Sequence, residues 1–361
     1  MKKILVLFTG GTIGSTLSSN KEINVFKEET TNRVLISQYQ KRYGVDKDIV
    51  FEEADIMNIL SENMTVSRYK EMADFFKKVN FNNYDGIIMT HGTDTLGYTA
   101  NYLSALLSEI SIPLVLVSSN YVLKDPRENG VNSFASAIDL IKDFKQPGIY
   151  VSYSNNITNN IIYGSRVVQC RSLVDDFNSV NYKPLGYIEY GKFVINDHEL
   201  VEQLCNREVT KGNANKNAEN LGDLNKSIQI ITPHVGLNYA NIDLSKVDAI
   251  LHTLYHSGTA CVDGLESGNL IEFIKKCRNH EVDIFVGPIY GEDDRDLYQS
   301  TKAILENGGQ VIMNCSIENI YAKLIVAYAM FKDKEKIMDF LNSDINFEHI
   351  MSGKKLVKTK R

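Results

Sequence analysis

The sequence predicts an α/β protein of two domains: a larger N-terminal, mostly parallel sheet flanked by helices, and a smaller C-terminal α/β domain. Three observations lead to this fold class. Short apolar, β-branched runs alternate along the chain with amphipathic stretches of helical periodicity. The chain has 361 residues, which is longer than a chain that folds around a single hydrophobic core usually is. A polar segment with few large apolar side chains separates two such alternating halves.

The predicted strands are continuous apolar runs, which is the pattern of strands buried on both faces. They are residues 4–8, 86–89, 112–117, 149–153, 228–231, 249–254, 284–286 and 311–313. The predicted helices lie between these strands and carry apolar residues at spacings of three and four. They are residues 67–79, 99–110, 132–144, 270–278, 298–307 and 318–331. This alternation predicts largely parallel sheets.

Two polar segments set the predicted domain organisation. The segment 197–226 is rich in Asn, Lys and Glu, and we interpret it as a linker between an N-terminal domain, 1–196, and a C-terminal domain, 227–361. The segment 15–32 follows the first strand and is long for a connection between a strand and a helix. Long connections at such positions often act as lids, so we expect a lid there.

The composition excludes several classes of function. With 39 basic and 45 acidic residues the formal net charge is −6, and no long Lys/Arg run provides the footprint of a nucleic-acid or membrane binder. The apolar runs are too short to cross a bilayer. The five cysteines lack a Cys-x-x-Cys pair, so we expect neither a disulfide framework nor a metal site, and a cytoplasmic location. We expect no cofactor, and we expect a small molecule and copies of the same chain as partners.

Two threonine-rich turns follow predicted strands. The first strand leads into Thr9-Gly10-Gly11-Thr12, where paired glycines allow a backbone turn that a side chain would hinder. The strand 86–89 leads into Thr90-His91-Gly92-Thr93-Asp94-Thr95, and Thr95 can cap the helix that follows. Ligands of open α/β sheets bind at the carboxyl ends of the strands. We therefore expect both turns to face one crevice.

Together these turns resemble the two signatures of the bacterial-type L-asparaginase/glutaminase family: a Thr-Gly-Gly-Thr-Ile turn near the N-terminus and a His-Gly-Thr-Asp-Thr elbow further along the chain. The resemblance extends over most of the chain, roughly 1–330, and includes the segments 60–64 and 178–188 and the helix start at Ser316. It implies the fold described above and hydrolysis of a side-chain amide.

The resemblance also implies roles for individual residues. Thr12 would be the nucleophile that forms an acyl-enzyme ester and releases ammonia. Thr93 would orient water or pass protons, and Asp94 would bind the α-amino group of an amino acid. Ser61 would hold the α-carboxylate, with Gly11 and Glu62 contributing to substrate binding. His91 lies inside the second signature, and we expect its role to be structural.

The sequence departs from the family at the position of a Lys that is hydrogen-bonded to the second Thr and the Asp. Spacing from Arg166 places this position at Gln169, whereas spacing from Phe177 places it at Val168, and Arg171 lies nearby. Neither Gln nor a permanently charged Arg acts as a general base at neutral pH. The family's proton path is therefore missing from the sequence.

Other departures concern the lid and the second domain. The segment 15–32 contains no counterpart of the family's lid Tyr, since Phe26 is its only aromatic residue. His256 follows the predicted strand 249–254 and is a candidate titrating group, supplied from the second domain or from a neighbouring subunit. Glu292 lies in an acidic stretch like one that some relatives lend to a neighbouring subunit. Because family members pair across such sites, we expect a homodimer or homotetramer.

Three functions remain open from the sequence. The leading one is hydrolysis of the side-chain amide of L-asparagine, or of a related amino-acid amide, through Thr12. The alternative is a catalytically weak protein that keeps Thr12, Ser61, Thr93 and Asp94 to bind an amino acid, as a sensor or a subunit. Hydrolysis on a larger substrate, such as a peptide or an aminoacyl-RNA, would need an extra module or a basic surface that the sequence does not show.

Overall fold

A computed structural model describes residues 1–14, 16–17, 23–24, 32–155, 157–171, 176–208, 216–264, 266–291 and 297–350. The chain divides into two compact units, Met1–Leu221 and Gly222–Arg361. The division lies inside the segment 197–226, which the sequence predicts as a linker. The described residues of that segment include the helices His198–Asn206 and Lys216–Asn220, and both belong to the first unit.

The first unit is built on an eight-stranded sheet with helices around it. Its strands are β1 (Lys2–Gly10), β2 (Thr16–Leu17), β3 (Ile23–Asn24), β4 (Ile49–Ile59), β5 (Gly86–Thr90), β6 (Pro113–Val117), β7 (Gly148–Ser154), β8 (Asn159–Tyr163), β9 (Val167–Val168), β10 (Asn178–Ser179), β11 (Gly186–Glu189) and β12 (Lys192–Ile195). Its helices are α1 (Asn32–Tyr43), α2 (Val66–Phe76), α3 (Leu96–Leu106), α4 (Gly130–Asp143), α5 (His198–Asn206) and α6 (Lys216–Asn220). The large sheet has the order β12-β11-β8-β7-β6-β5-β1-β4, while β9–β10 and β2–β3 form separate pairs.

The strand directions place the two threonine turns side by side. From β4 through β1, β5 and β6 to β7 the strands run parallel, and β8, β11 and β12 continue the sheet antiparallel. Strands β5, β6 and β7 are buried along their whole length, which explains their continuous apolar runs. Because β1 pairs directly with β5, the turns that follow them emerge next to each other at one edge of the sheet.

The second unit is a smaller sheet whose four strands are all parallel, in the order β13-β14-β15-β16. These strands are β13 (Ile228–Ile231), β14 (Ala249–His252), β15 (Asp283–Ile289) and β16 (Gln310–Met313), and the helices are α7 (Leu270–Asn279), α8 (Gln299–Glu306), α9 (Ile317–Met330) and α10 (Lys334–Asn342). One apolar cluster contains residues of α7 and α8, and another contains residues of α9 and α10, and both include residues of the strands. The predicted fold class is thus confirmed.

Each predicted strand and helix overlaps one in the structure, with ends that differ by a few residues. Most of the predicted lid, 15–32, lies outside the described residues, as does Phe26; the described parts are β2, β3 and the first residue of α1. Among the residues that the structure covers, no helix has the length and apolar character needed to span a membrane.

Candidate active site

The Gly-Gly turn after β1 brings Thr12 against the second signature. Gly10 and Gly11 have φ angles of +95° and +79°, which glycine adopts readily and other residues rarely. A Cβ atom at Gly11 would lie 2.5 Å from the backbone nitrogen of Gly92. The two turns therefore touch through their main chains, and Thr12, which opens a short 3-10 turn, is half-buried beside this contact.

Two hydrogen bonds hold the ends of β1 and β5 together. The Thr9 hydroxyl donates to the Thr90 carbonyl oxygen at 2.6 Å, and the Thr9 backbone N–H donates to the Thr90 hydroxyl at 3.3 Å. Thr12 lies three residues after Thr9, and Thr93 lies three residues after Thr90. Sequence reasoning gives no role to Thr9 or Thr90, although both are the first residues of the turns.

A third loop, after β4, supplies Ser61. Its hydroxyl donates to Asp94 Oδ2 at 3.0 Å and accepts from the Asp94 backbone N–H at 3.1 Å. A Cβ atom at Gly92 would lie 2.4 Å from Ser61 Oγ, so glycine is required for this loop to approach. Ser61 is only 4% exposed, whereas Asp94 is exposed. The structure therefore joins Gly11, Ser61 and Asp94 at one place, with a carboxylate open to solvent.

Thr95 lies at the N-cap position of α3, but its side chain does not supply the cap that the sequence suggests. The Thr95 side chain makes no capping hydrogen bond and instead donates to the Ser61 carbonyl oxygen at 2.9 Å. The first turn of α3 is satisfied from a distant part of the chain, since the Gly97 N–H donates to Gln169 Oε1 at 2.9 Å. The Thr95 hydroxyl thus binds the loop after β4, whereas the sequence suggests that it caps α3.

Gln169 also contacts the elbow directly, because its Nε2 donates to the Thr93 carbonyl oxygen at 2.8 Å. Val168 instead pairs with Asn178 in the β9–β10 ladder. Of the two positions that the sequence leaves open, Gln169 is the one that lies beside Thr93. Arg171 lies two residues further along and is exposed.

The remaining candidates lie in different surroundings. Glu62 is exposed next to Ser61, and His256 is exposed in a turn of the second unit, after β14. Glu292 lies outside the described residues. His91 is buried, with Nδ1 2.7 Å from the Gly92 carbonyl oxygen, and burial lowers the pKa of its imidazole to about 4. The imidazole is therefore neutral at physiological pH, and the structural role of His91 stays a prediction.

Known proteins resemble this chain both in the N-terminal domain and over its whole length. The model of the N-terminal domain of asparaginases matches residues 3–200. An L-asparaginase from Thermococcus kodakarensis is 27% identical over 351 residues, covering 95% of this chain and 98% of that protein. A protein from Methanosphaera stadtmanae, named as one of the subunits of a glutamyl-tRNA(Gln) amidotransferase, is 26% identical over 353 residues, covering 96% of this chain and 76% of that protein.

Solved structures share the fold. The thermostable L-asparaginase from Thermococcus kodakarensis superimposes with a TM-score of 0.77 at 24% identity, covering 97% of this chain and 100% of that one. L-asparaginase I from Vibrio cholerae gives a TM-score of 0.73 at 20% identity, covering 97% and 99%. At these identities the likeness supports the two-unit α/β architecture.

Proposed function

This chain belongs to the asparaginase family, and from that premise we propose that it hydrolyses the side-chain amide of L-asparagine, or of a related amino-acid amide, to the acid and ammonia. The observation that carries the proposal is the meeting of three loops at the carboxyl edge of one sheet. They bear Thr12, Ser61 and the Thr93–Asp94 elbow. Reacting groups must come within about 3 Å of one another, and this convergence supports such an arrangement.

The proposed reaction has two steps. The Thr12 oxygen bonds to the carbonyl carbon of the amide, the carbon–nitrogen bond breaks, and the hydroxyl proton leaves with the nitrogen as ammonia. Water then attacks the Thr12 ester, its proton returns to the threonine oxygen, and the acid is released. Thr93 orients this water, and backbone N–H groups at the strand ends stabilise the negative oxygen that forms in each step.

Recognition of the amino acid depends on a change of hydrogen-bond partner at Ser61. In the structure the Ser61 hydroxyl donates to Asp94 Oδ2 while it accepts from the Asp94 N–H. We propose that the Ser61 hydroxyl rotates to donate its hydrogen bond to a bound α-carboxylate, which leaves Asp94 Oδ2 free of this donor and able to accept from the ammonium. One hydroxyl rotation therefore serves both ends of the zwitterion.

Asp94→Ala is expected to weaken binding of L-aspartate and L-asparagine by about 30-fold or more, because the substrate ammonium loses its charged partner. Isothermal titration calorimetry measures this change. Asp74→Ala, which removes a surface carboxylate on α2, is the matched control and should bind as the wild type does. An unchanged affinity in Asp94→Ala would show that the ammonium is held elsewhere.

The side chain that contacts the Thr93 main chain is that of Gln169, and its chemistry sets the expected rate. An amide such as that of Gln169 does not accept a proton at neutral pH, and loss of a general base typically slows a reaction by about 10²–10⁴-fold. We therefore expect slow hydrolysis of free asparagine. Ammonia release measured across L-asparagine, L-glutamine and small amides tests the proposal and identifies the preferred side chain.

Gln169 beside Thr93 also favours a second candidate, an amino-acid-binding sensor or subunit with little catalysis. A relative named as part of an amidotransferase is compatible with a role inside a complex. Tight binding of an amino acid with no ammonia from any of the amides would support this candidate against the hydrolase. Ammonia release that is proportional to protein concentration and absent in Thr12→Ala would support the hydrolase.

We propose a cytoplasmic protein that takes a small amino acid, binds neither nucleic acid nor membrane, and pairs with copies of itself. Two-fold dimers are the commonest closed assemblies, and tetramers are often pairs of them. Light scattering at micromolar concentration is expected to give the mass of a homodimer or homotetramer. A monomer would contradict this expectation and would remove His256 and Glu292 as residues shared between protomers.

A further inference from the structure

We infer that Gln169 is a positioning residue, which fixes the main chain of the Thr93 elbow relative to the first turn of α3. Its Oε1 accepts from the Gly97 N–H at 2.9 Å, and its Nε2 donates to the Thr93 carbonyl oxygen at 2.8 Å. A second, longer contact joins Nε2 to the Cys170 carbonyl oxygen at 3.4 Å. The inference rests on the proposed function, because it is the Thr93 hydroxyl that this contact sets in place.

Both contacts require the chemistry of a side-chain amide. A primary amide carries an acceptor and a donor on one planar group, whereas a carboxylate only accepts and an ammonium only donates. Neither Lys nor Glu can therefore satisfy Gly97 and Thr93 together. The main chain of Gln169 also lies close to that of Gly97, since a Cβ atom at Gly97 would lie 2.9 Å from Gln169 Cα. The two segments are fitted to each other at this point.

The segment that carries Gln169 is itself held against α3. The buried Asn101 side chain, on α3, donates to the Val167 carbonyl oxygen at 2.9 Å and to the Gly97 carbonyl oxygen at 2.8 Å. Val168 pairs with Asn178 in the β9–β10 ladder. The backbone at Gln169 is therefore held in place, and the hydrogen bonds of its side chain to Gly97 and Thr93 extend that constraint to the elbow.

Gln169→Glu separates the two contacts. A carboxylate still accepts from the Gly97 N–H and suits the positive end of the helix dipole, so the cap of α3 is kept. Its second oxygen faces the Thr93 carbonyl oxygen, and this repulsion moves the elbow. We expect kcat for ammonia release to fall about 10- to 100-fold, since a displacement of about 1 Å at a reacting group has this scale of effect. KM for L-asparagine and the apparent melting temperature should stay near wild-type values, because Ser61 holds Asp94 through two separate hydrogen bonds and the cap of α3 is kept.

The matched control is Gln203→Glu, the same substitution at an exposed glutamine on α5 of the same unit. It should leave kcat, KM and melting temperature unchanged. Wild-type kcat in Gln169→Glu would overturn the inference. A parallel loss of kcat and melting temperature would also overturn it, because that result would show that Gln169 only caps α3 and does not position Thr93.

Gln169→Lys gives a second, opposite test. If only a base were missing, a lysine here would raise turnover. If the amide positions Thr93, lysine removes the acceptor of the Gly97 N–H and places a positive charge at the start of α3, so kcat should fall. A faster Gln169→Lys enzyme would therefore contradict the positioning role.

Amide hydrogen exchange distinguishes failure of this inference from failure of the proposed function. In Gln169→Glu, exchange should rise at residues 92–95 while Gly97 stays protected, and Gln203→Glu should match the wild type. This exchange result would support the positioning role of Gln169 even if the protein released no ammonia. A lack of ammonia would refute only the proposed hydrolase function. Unchanged exchange at residues 92–95 would overturn the inference, whatever the activity.

Discussion

Thr12→Ala is expected to abolish ammonia release from L-asparagine while leaving amino-acid binding intact. The change removes the only protein atom that forms a bond to the substrate in the proposed reaction, and loss of a nucleophile commonly costs about 10³-fold or more in rate. The β1 end and the Gly11 contact with Gly92 do not depend on the Thr12 hydroxyl, so the pocket should keep its shape.

Thr65→Ala is the control for this experiment, because Thr65 is exposed on the same unit and its side chain does not cap α2. It should release ammonia at the wild-type rate. Calorimetry with L-aspartate should give the same affinity for both variants and the wild type. Ammonia release that survives in Thr12→Ala would require another nucleophile.

The second large effect is on the stability of the second unit. Lys323 and Glu348 form an ion pair at 2.6 Å whose side chains are 2% and 1% exposed. Lys323 also donates to the Ser343 carbonyl oxygen, and Glu348 accepts from the backbone N–H groups of Ile345 and Asn346. Burial acts to raise the pKa of Glu348, but the Lys323 ammonium and these hydrogen bonds outweigh it, and the pKa is lowered. This network fixes the chain after α10.

Lys323→Met leaves the Glu348 carboxylate buried without its countercharge, which typically costs about 3–5 kcal/mol of unfolding free energy. Urea unfolding of the second unit at pH 7 measures the loss. Lys246→Met is the matched control, because Lys246 pairs with Asp243 at the surface with side chains 81% and 56% exposed, and such pairs contribute about 0–1 kcal/mol. Equal unfolding free energies for the two variants would contradict the importance of the buried pair.

The pH dependence of this effect follows from the lowered pKa of Glu348. A carboxyl whose folded-state pKa lies below its unfolded value contributes stability above the unfolded pKa, and that contribution is lost as the pH falls through the folded value. The difference between the wild type and Lys323→Met should therefore narrow in acid, where the carboxyl takes up a proton in both proteins.

The strands that are buried on both faces could be predicted from the sequence, because β5, β6 and β7 are continuous apolar runs. The same pattern does not predict β4, an edge strand of the sheet that is largely exposed and carries Glu52 and Glu53. Because β4 is not buried on both faces, apolar and polar residues are mixed along it. Helix α10 escapes prediction for a similar reason, since only Ile337 and Leu341 are buried along it.

The site could be predicted only where local motifs mark it. Thr12, Thr93 and Asp94 lie inside short signatures, so their chemistry is visible in the order of residues. The partnership of Gln169 with Thr93 and Gly97 joins segments far apart in the chain, and it depends on how the loop after β8 packs on α3. Spacing alone leaves Gln169 and Val168 as equal alternatives, and only three-dimensional contact separates them.

The central claim is that Thr12 forms an ester with the substrate, and the most direct test is the mass of the Thr12 peptide during turnover. Acid quenching during turnover stops hydrolysis of the ester and so traps the molecules that carry it. With L-asparagine we expect an aspartyl group on this peptide in the wild-type protein, ammonia in step with its formation, and neither in Thr12→Ala. Continuous ammonia release with the Thr12 peptide unmodified throughout the time course would contradict the account.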